Sequence, residues 1–111
     1  MALEAGVIGL GNIGGGVARN LAAAGYSVIG YDIDTDLISE HGVRAAEDSA
    51  EVAENADLVV LAVNTMPAWR STLAAIAATG RRGLVVADLC TFPIEDKATA
   101  HEELHLSLIH I

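Results

Sequence analysis

An α/β fold with a doubly wound, mainly parallel sheet and helices on both faces is what the chain predicts, and three observations carry it. Short apolar runs recur at residues 6–8, 27–31, 58–63 and 84–87, as in strands buried on both faces. Helical segments separate these runs, and strands that alternate with helices form parallel sheets with right-handed crossovers. Between the first strand and the first helix, Gly9, Gly11 and Gly14 spell G-x-G-x-x-G, and Asp32 follows 18 residues after Gly14 at the end of the second strand. That combination is the fingerprint of a dinucleotide-binding, Rossmann-type unit.

Each element has its own reason. Strand 6–8 runs into Gly9, which permits a tight turn. Gly11 lets a pyrophosphate approach the backbone, and Gly14 lets the helix lie close to the strand. The helix carries Leu10, Ile13, Val17, Leu21 and Ala24 at three- and four-residue spacing, with Gly25 at its C′ position. Its N-terminus offers N–H groups and a partial positive charge to phosphates. Residues 34–41 read as a short helix stopped by Gly42, and 43–45 as a weak strand. Asp48-Ser49-Ala50-Glu51 resembles a capping box opening a helix to about Asn55. Pro67 suits the first turn of a helix running to Thr79 and stopped at Gly80, and Pro93 opens a last helix over roughly 94–104. Ligands of such sheets lie beyond the carboxyl ends of the strands. The loop after Ile8, the turn Asn64-Thr65-Met66 and the turn Leu89-Cys90-Thr91 therefore line the expected site.

The whole chain sets bounds. Its 111 residues hold one domain with one core, 52% hydrophobic but only 4% aromatic. No apolar run approaches a membrane span, and no signal peptide is visible. The single cysteine, Cys90, has no internal disulfide partner, which points to a reducing, cytoplasmic setting. The net charge is −9, with nine of the fifteen acids between Asp32 and Asp57. That balance speaks against nucleic acid, which needs a basic footprint. The acids read as a solvated face.

Asp32 is placed to accept hydrogen bonds from the adenosine ribose hydroxyls and to repel a 2′-phosphate. The next residues, Ile33-Asp34-Thr35-Asp36-Leu37, contain no Arg. NAD is the expected cofactor, ahead of NADP.

Four stretches make the chain resemble the N-terminal half of a β-hydroxyacid dehydrogenase. They are Gly9-Leu10-Gly11-Asn12-Ile13-Gly14 with Ala18-Arg19-Asn20-Leu21; Gly42-Val43-Arg44-Ala45-Ala46 before Ala56-Asp57-Leu58-Val59-Val60; the Val63-Asn64 turn; and Asp88-Leu89-Cys90-Thr91 before Pro93. The resemblance covers about residues 5 to 105. Similar enzymes include 3-hydroxyisobutyrate dehydrogenase, tartronate semialdehyde reductase and 6-phosphogluconate dehydrogenase. It implies that Gly9, Leu10, Gly11, Asn12, Ile13 and Gly14 hold the pyrophosphate, with Asp32 and Ile33 on the adenosine side. Val63 and Asn64 stand where the family has a Leu-Pro turn beside the nicotinamide. Thr91 matches the cofactor-contacting Thr of an Asp-x-Ser-Thr motif. Cys90 replaces that motif's Ser, a substrate contact, with a weaker donor. Ile13 stands where the family usually has Met.

The resemblance also says what is missing. The family's general acid/base is a Lys in a later Gly-rich segment that opens a helical substrate domain. The one lysine here, Lys97, lies outside any such segment, so no catalytic residue is assigned. Residues 1–105 are expected to be the NAD(P)-binding domain, without the helical domain. Residues 106–111 are expected to be an artificial tail on a gene fragment, a short edge strand being the alternative. The parent is expected to transfer hydride between nicotinamide and a small 3-hydroxy acid and to be a homo-oligomer. Two alternatives stay open. One is a fragment similar to prephenate dehydrogenase, whose loop is often Gly-Leu-Gly-x-Ile-Gly-Gly. The other is an NAD-sensing module without catalysis.

Weaker signals are read plainly. His101 and His105 share a helical face but lack a third ligand, so no metal site is expected. Cys90 has no neighbouring base to make it a nucleophile. Trp69 and Met66 are expected to be half-buried packing residues, and Arg81-Arg82 a surface turn.

Overall fold

The computed structural model describes residues 3–41, 43–93, 95–99 and 102. In chain order it contains β1 (Glu4–Ile8), α1 (Asn12–Ala23), β2 (Ser27–Tyr31), α2 (Thr35–His41), β3 (Arg44–Ala45), α3 (Ser49–Asn55), β4 (Leu58–Leu61), α4 (Met66–Ala78) and β5 (Val85–Asp88). Residues 95–99 are helical as well. The stop at Gly42, the ends of the last helix, His101, His105 and the tail 106–111 lie outside the described residues.

All strands are parallel, in the order β3-β2-β1-β4-β5. The order reverses direction between β1 and β4, which makes that junction the topological switch point. Ile8 pairs with Tyr31 on one side and Leu61 on the other, and Leu61 pairs with Asp88. Four strands therefore end level. Gly9, Ala62 and Leu89 each extend the ladder by one bond, to the carbonyls of Tyr31, Ile8 and Leu61 at 2.9, 2.8 and 2.9 Å.

Successive strand residues face opposite layers. Val7, Val28 and Val60 pack with Leu10, Ala18 and Ile38 beneath α1 and α2. Ile8, Ile29, Val59 and Leu61 pack with Val52, Trp69, Leu73 and Ile76 beneath α3 and α4. This two-sided burial is why the strands read as unbroken apolar runs.

Several boundaries and faces differ from expectation. β4 stops at Leu61 because Ala62 and Val63 turn to line clefts at the strand ends. Leu10 is fully buried but precedes α1, and Ile13 is 65% exposed rather than part of an apolar stripe. The buried face of α1 is Gly14, Gly15 and Ala18, because the helix lies too close to β1 for larger side chains. Its end is as expected: Gly25 adopts φ 99°, and Gly25 and Tyr26 donate to the carbonyls of Ala22 and Leu21 at 3.1 Å each, a Schellman ending. Trp69 is 1% exposed, fully rather than half buried, and its ring lies 5.2 Å from that of Phe92. Arg81 is no free surface residue. Its guanidinium donates to the carbonyls of Ala53 (2.8 Å) and Ala56, closing the C-terminus of α3.

Candidate functional site

The glycine loop owes its shape to two close approaches. Gly9 adopts φ 94°, and a Cβ there would meet the Ala62 carbonyl oxygen at 2.3 Å. A Cβ on Gly14 would stand 1.7 Å from the carbonyl oxygen of Gly9, so only glycine lets α1 dock on the loop. Gly11 is different. Its φ is −70°, and a Cβ would meet no protein atom within 4 Å. Nothing among the described residues needs glycine there. The space its missing Cβ leaves opens to the clefts.

The first turn of α1 faces the same space. Asp48 caps α3 by accepting from Glu51 N at 2.8 Å, and Thr65 caps α4 by accepting from Ala68 N at 3.3 Å. At α1 the N-cap is Gly11, with no side-chain hydrogen bond and no acid in the first turn. The N–H groups at such a terminus have no intrahelical partner and favour an anion.

Two clefts meet at this point. One, of about 490 Å³, is bordered by Asp32, Ile33, Asp48, Asn64, Thr65 and Thr72. The other, of about 440 Å³, is bordered by Asn12, Ile13, Gly14, Cys90, Thr91 and Phe92. Both include Gly11, Ala62, Val63 and Asn64. Two chambers joined at a glycine beneath an uncapped helix suit a ligand of two halves joined by phosphates, and the residues present fit a dinucleotide.

In the first cleft, Asp32 is partly buried and accepts from Leu10 N at 2.7 Å and from Asp34 N at 2.9 Å. Ile33 beside it is 83% exposed. The wall of the second cleft is held from behind. Asp88 accepts from Trp69 Nε1 at 3.1 Å and from Cys90 N at 2.8 Å, and it faces Lys97 Nζ at 3.6 Å. Lys97 also donates to the Cys90 carbonyl. Cys90 is 6% exposed, with its Sγ directed at the Leu61 carbonyl at 3.6 Å. Burial foremost, with Asp88 adding to it, pushes the thiol up from 9.0 to about 11. Thr91 and Asn64 are exposed at the rims.

Gly9, Gly11, Asp32, Ile33, Val63 and Asn64 thus gather at the first cleft, and Asn12, Ile13, Gly14, Cys90 and Thr91 at the second. Leu10 supplies only its backbone, since its side chain is buried. Sequence reasoning placed the Thr65 turn at the site, read Asp48 only as a helix cap and passed over Thr72, and it did not foresee that Asp88, Trp69 and Lys97 meet behind the second wall. Thr65 had a signal, a capping residue two before Pro67. The Trp69–Asp88 contact spans 19 residues and had none. No group of three or more metal-ligating side chains occurs among the described residues, and none of their helices is long and apolar enough to cross a membrane.

Comparison with known proteins agrees with this geometry. The family model of the NAD binding domain of 6-phosphogluconate dehydrogenase matches residues 4–111. A probable mitochondrial 3-hydroxyisobutyrate dehydrogenase of Dictyostelium discoideum is 33% identical over 111 residues, covering 95% of this chain and 34% of the relative. The mitochondrial 3-hydroxyisobutyrate dehydrogenase of Homo sapiens is 30% identical over 104 residues, 87% of this chain and 31% of that one. Among solved structures, 3-hydroxyisobutyrate dehydrogenase of Mycobacterium tuberculosis with L-serine superposes with a TM-score of 0.91 at 26% identity, over 99% of this chain and 39% of that one. The chain spans about a third of the length of the curated relatives it matches.

Proposed function

The chain belongs to the family of the NAD-binding domain of 6-phosphogluconate dehydrogenase, and from that premise we propose that it is the cofactor-binding part of an enzyme moving hydride between nicotinamide and a small 3-hydroxy acid. The observation that carries the reading is the meeting of two clefts at Gly11, under the uncapped first turn of α1. When bound, the nicotinamide supplies the hydride chemistry. The residues here bind and orient.

The loop from Gly9 to Gly14 holds the pyrophosphate with backbone N–H groups. Asp32 accepts from the adenosine ribose, with Ile33 beside the adenine. Val63 and Asn64, shared by both clefts, separate the two halves of the cofactor. Thr91 offers a hydroxyl at the nicotinamide side. Cys90 borders the substrate through its backbone more than its thiol, which is turned toward Leu61. The hydroxyl proton of a 3-hydroxy acid needs a general acid/base. Lys97 is engaged with Asp88 and the Cys90 carbonyl, so that group belongs to the remainder of a longer enzyme. The same remainder would hold the substrate and any homo-oligomer interface. A reducing compartment, the cytosol, suits the single buried cysteine, although the Dictyostelium and human relatives are named as mitochondrial.

Asp32 and the neighbouring Asp48 border the first cleft with negative charge, which supports NADH over NADPH. The test is a titration with each, read by the fluorescence of Trp69, the only tryptophan. NADH is expected to bind at least about tenfold more tightly. Equal affinities would refute the NAD preference, and no response to either would refute the dinucleotide reading.

A further inference from the structure

The carboxylate of Asp32 does more in this structure than face a cleft. Its Oδ2 accepts the backbone N–H of Leu10 at 2.7 Å, across 22 residues, while its Oδ1 accepts Asp34 N at 2.9 Å. Leu10 is the middle residue of Gly9-Leu10-Gly11. Its side chain is fully buried, close enough to β2 that a Cβ on Gly30 would stand 3.2 Å from its Cδ1. The residue before it is bound to the same strand end, with Gly9 N donating to the Tyr31 carbonyl at 2.9 Å. Two consecutive loop amides are thus tied to two consecutive residues of the β2 terminus, Tyr31 and Asp32. The first tie is backbone to backbone and does not depend on the Tyr31 side chain. The second depends on one side chain.

We propose that Asp32 is a positioning residue for the phosphate-binding loop, latching Leu10 so that the backbone from Gly11 to Gly14 keeps the curvature a pyrophosphate requires. This is separate from its reading of the ribose, though it rests on the dinucleotide reading of the site. A carboxylate has roughly four acceptor positions. The amides of Leu10 and Asp34 take one on each oxygen, which leaves one on each for a pair of hydroxyls. The same group therefore registers the adenosine half and shapes the seat of the phosphates.

A reader of ribose alone has no effect on ligands that lack adenosine. A latch does. The experiment compares Asp32→Asn and Asp32→Ala, which remove the same charge but differ in keeping a side-chain oxygen for Leu10 N–H. The probes are inorganic pyrophosphate and reduced nicotinamide mononucleotide, measured by calorimetry. The Asn variant is expected to bind both probes about tenfold more tightly than the Ala variant, the worth of one hydrogen bond to a backbone amide. Equal affinities in the two variants overturn the latch.

A second measurement stands on the unaltered chain and does not depend on a variant folding. In a 1H–15N spectrum, the Leu10 amide is expected to exchange with solvent at least about tenfold more slowly than the neighbouring Gly11 amide. Exchange at equal rates also overturns the latch. If neither NADH nor the probes bind the unaltered chain, the dinucleotide reading falls, and Leu10 protection alone then decides whether Asp32 holds the loop.

Discussion

The indole N–H of Trp69 reaches the carboxylate of Asp88 across 3.1 Å, so a side-chain hydrogen bond ties α4 to the end of β5 beside a largely apolar layer. Asp88 has a side chain only 6% exposed, so each donor it receives matters. Trp69→Phe removes one donor and part of the ring volume. The variant is expected to lose about 1–3 kcal/mol of stability, read as a lower urea midpoint with an unchanged slope. An unchanged midpoint would mean that the indole N–H contributes nothing.

Gly11 and Gly14 look alike in the motif but are expected to fail differently. Gly14→Ala drives a methyl to within 1.7 Å of the Gly9 carbonyl oxygen, whereas Gly11→Ala meets no protein atom. Gly11→Ala should keep its melting temperature within a few degrees while its affinity for NADH falls at least about tenfold. Gly14→Ala should lose stability and affinity together. Circular dichroism melting alongside the NADH titration separates the two. A Gly11→Ala protein that binds NADH normally would remove the pyrophosphate from that position.

Cys90 makes a prediction about alkaline pH. Its thiol is pushed up from 9.0 to about 11, burial being the main cause. Between those values the folded chain keeps a proton that the unfolded chain releases. Stability from this group is therefore fully present below about pH 9 and is lost as pH rises toward about 11. Urea midpoints taken across that window should fall less steeply in Cys90→Ala than in the unaltered chain. At neutral pH the buried thiol should react slowly with a disulfide reagent until the chain is unfolded.

Arg81 should behave as a structural residue far from the clefts. Its guanidinium closes the C-terminus of α3 through the carbonyls of Ala53 and Ala56. Arg81→Ala is expected to cost about 1–3 kcal/mol in denaturant unfolding and to leave NADH affinity unchanged. A loss of affinity without a loss of stability would contradict that assignment.

Much of the fold was legible because its signals are local. The β2 range, the α3 cap at Asp48, the α4 start near Pro67 and the ending at Gly25 follow from composition within a few residues. The parallel pairing of the strands follows from their alternation with helices. What escaped was set by distance. A helical stripe through Ile13 is sound for a helix at ordinary spacing, but Gly14 brings α1 close to the loop and turns Ile13 outward. Arg81 reads as a turn residue until the α3 carbonyls, 25 and 28 residues away, come beside it. The candidate cofactor residues were visible as a motif. The motif links the glycine loop to Asp32 but does not reveal the hydrogen bond from Leu10 N, and no period or spacing connects Trp69 with Asp88.

The absence of a side-chain cap on α1 makes the first turn of that helix contingent on what the chain meets in solution. α3 and α4 are completed from within, by Asp48 and Thr65. α1 would be completed by an anion. Ligand and folding are then thermodynamically linked. A dinucleotide present at a hundred times its dissociation constant would raise the unfolding free energy by about 2.7 kcal/mol, a large part of what a domain this small possesses. Thermal unfolding would then depend on cofactor concentration, and abundance in a cell would follow the supply of the nucleotide as much as the rate of synthesis.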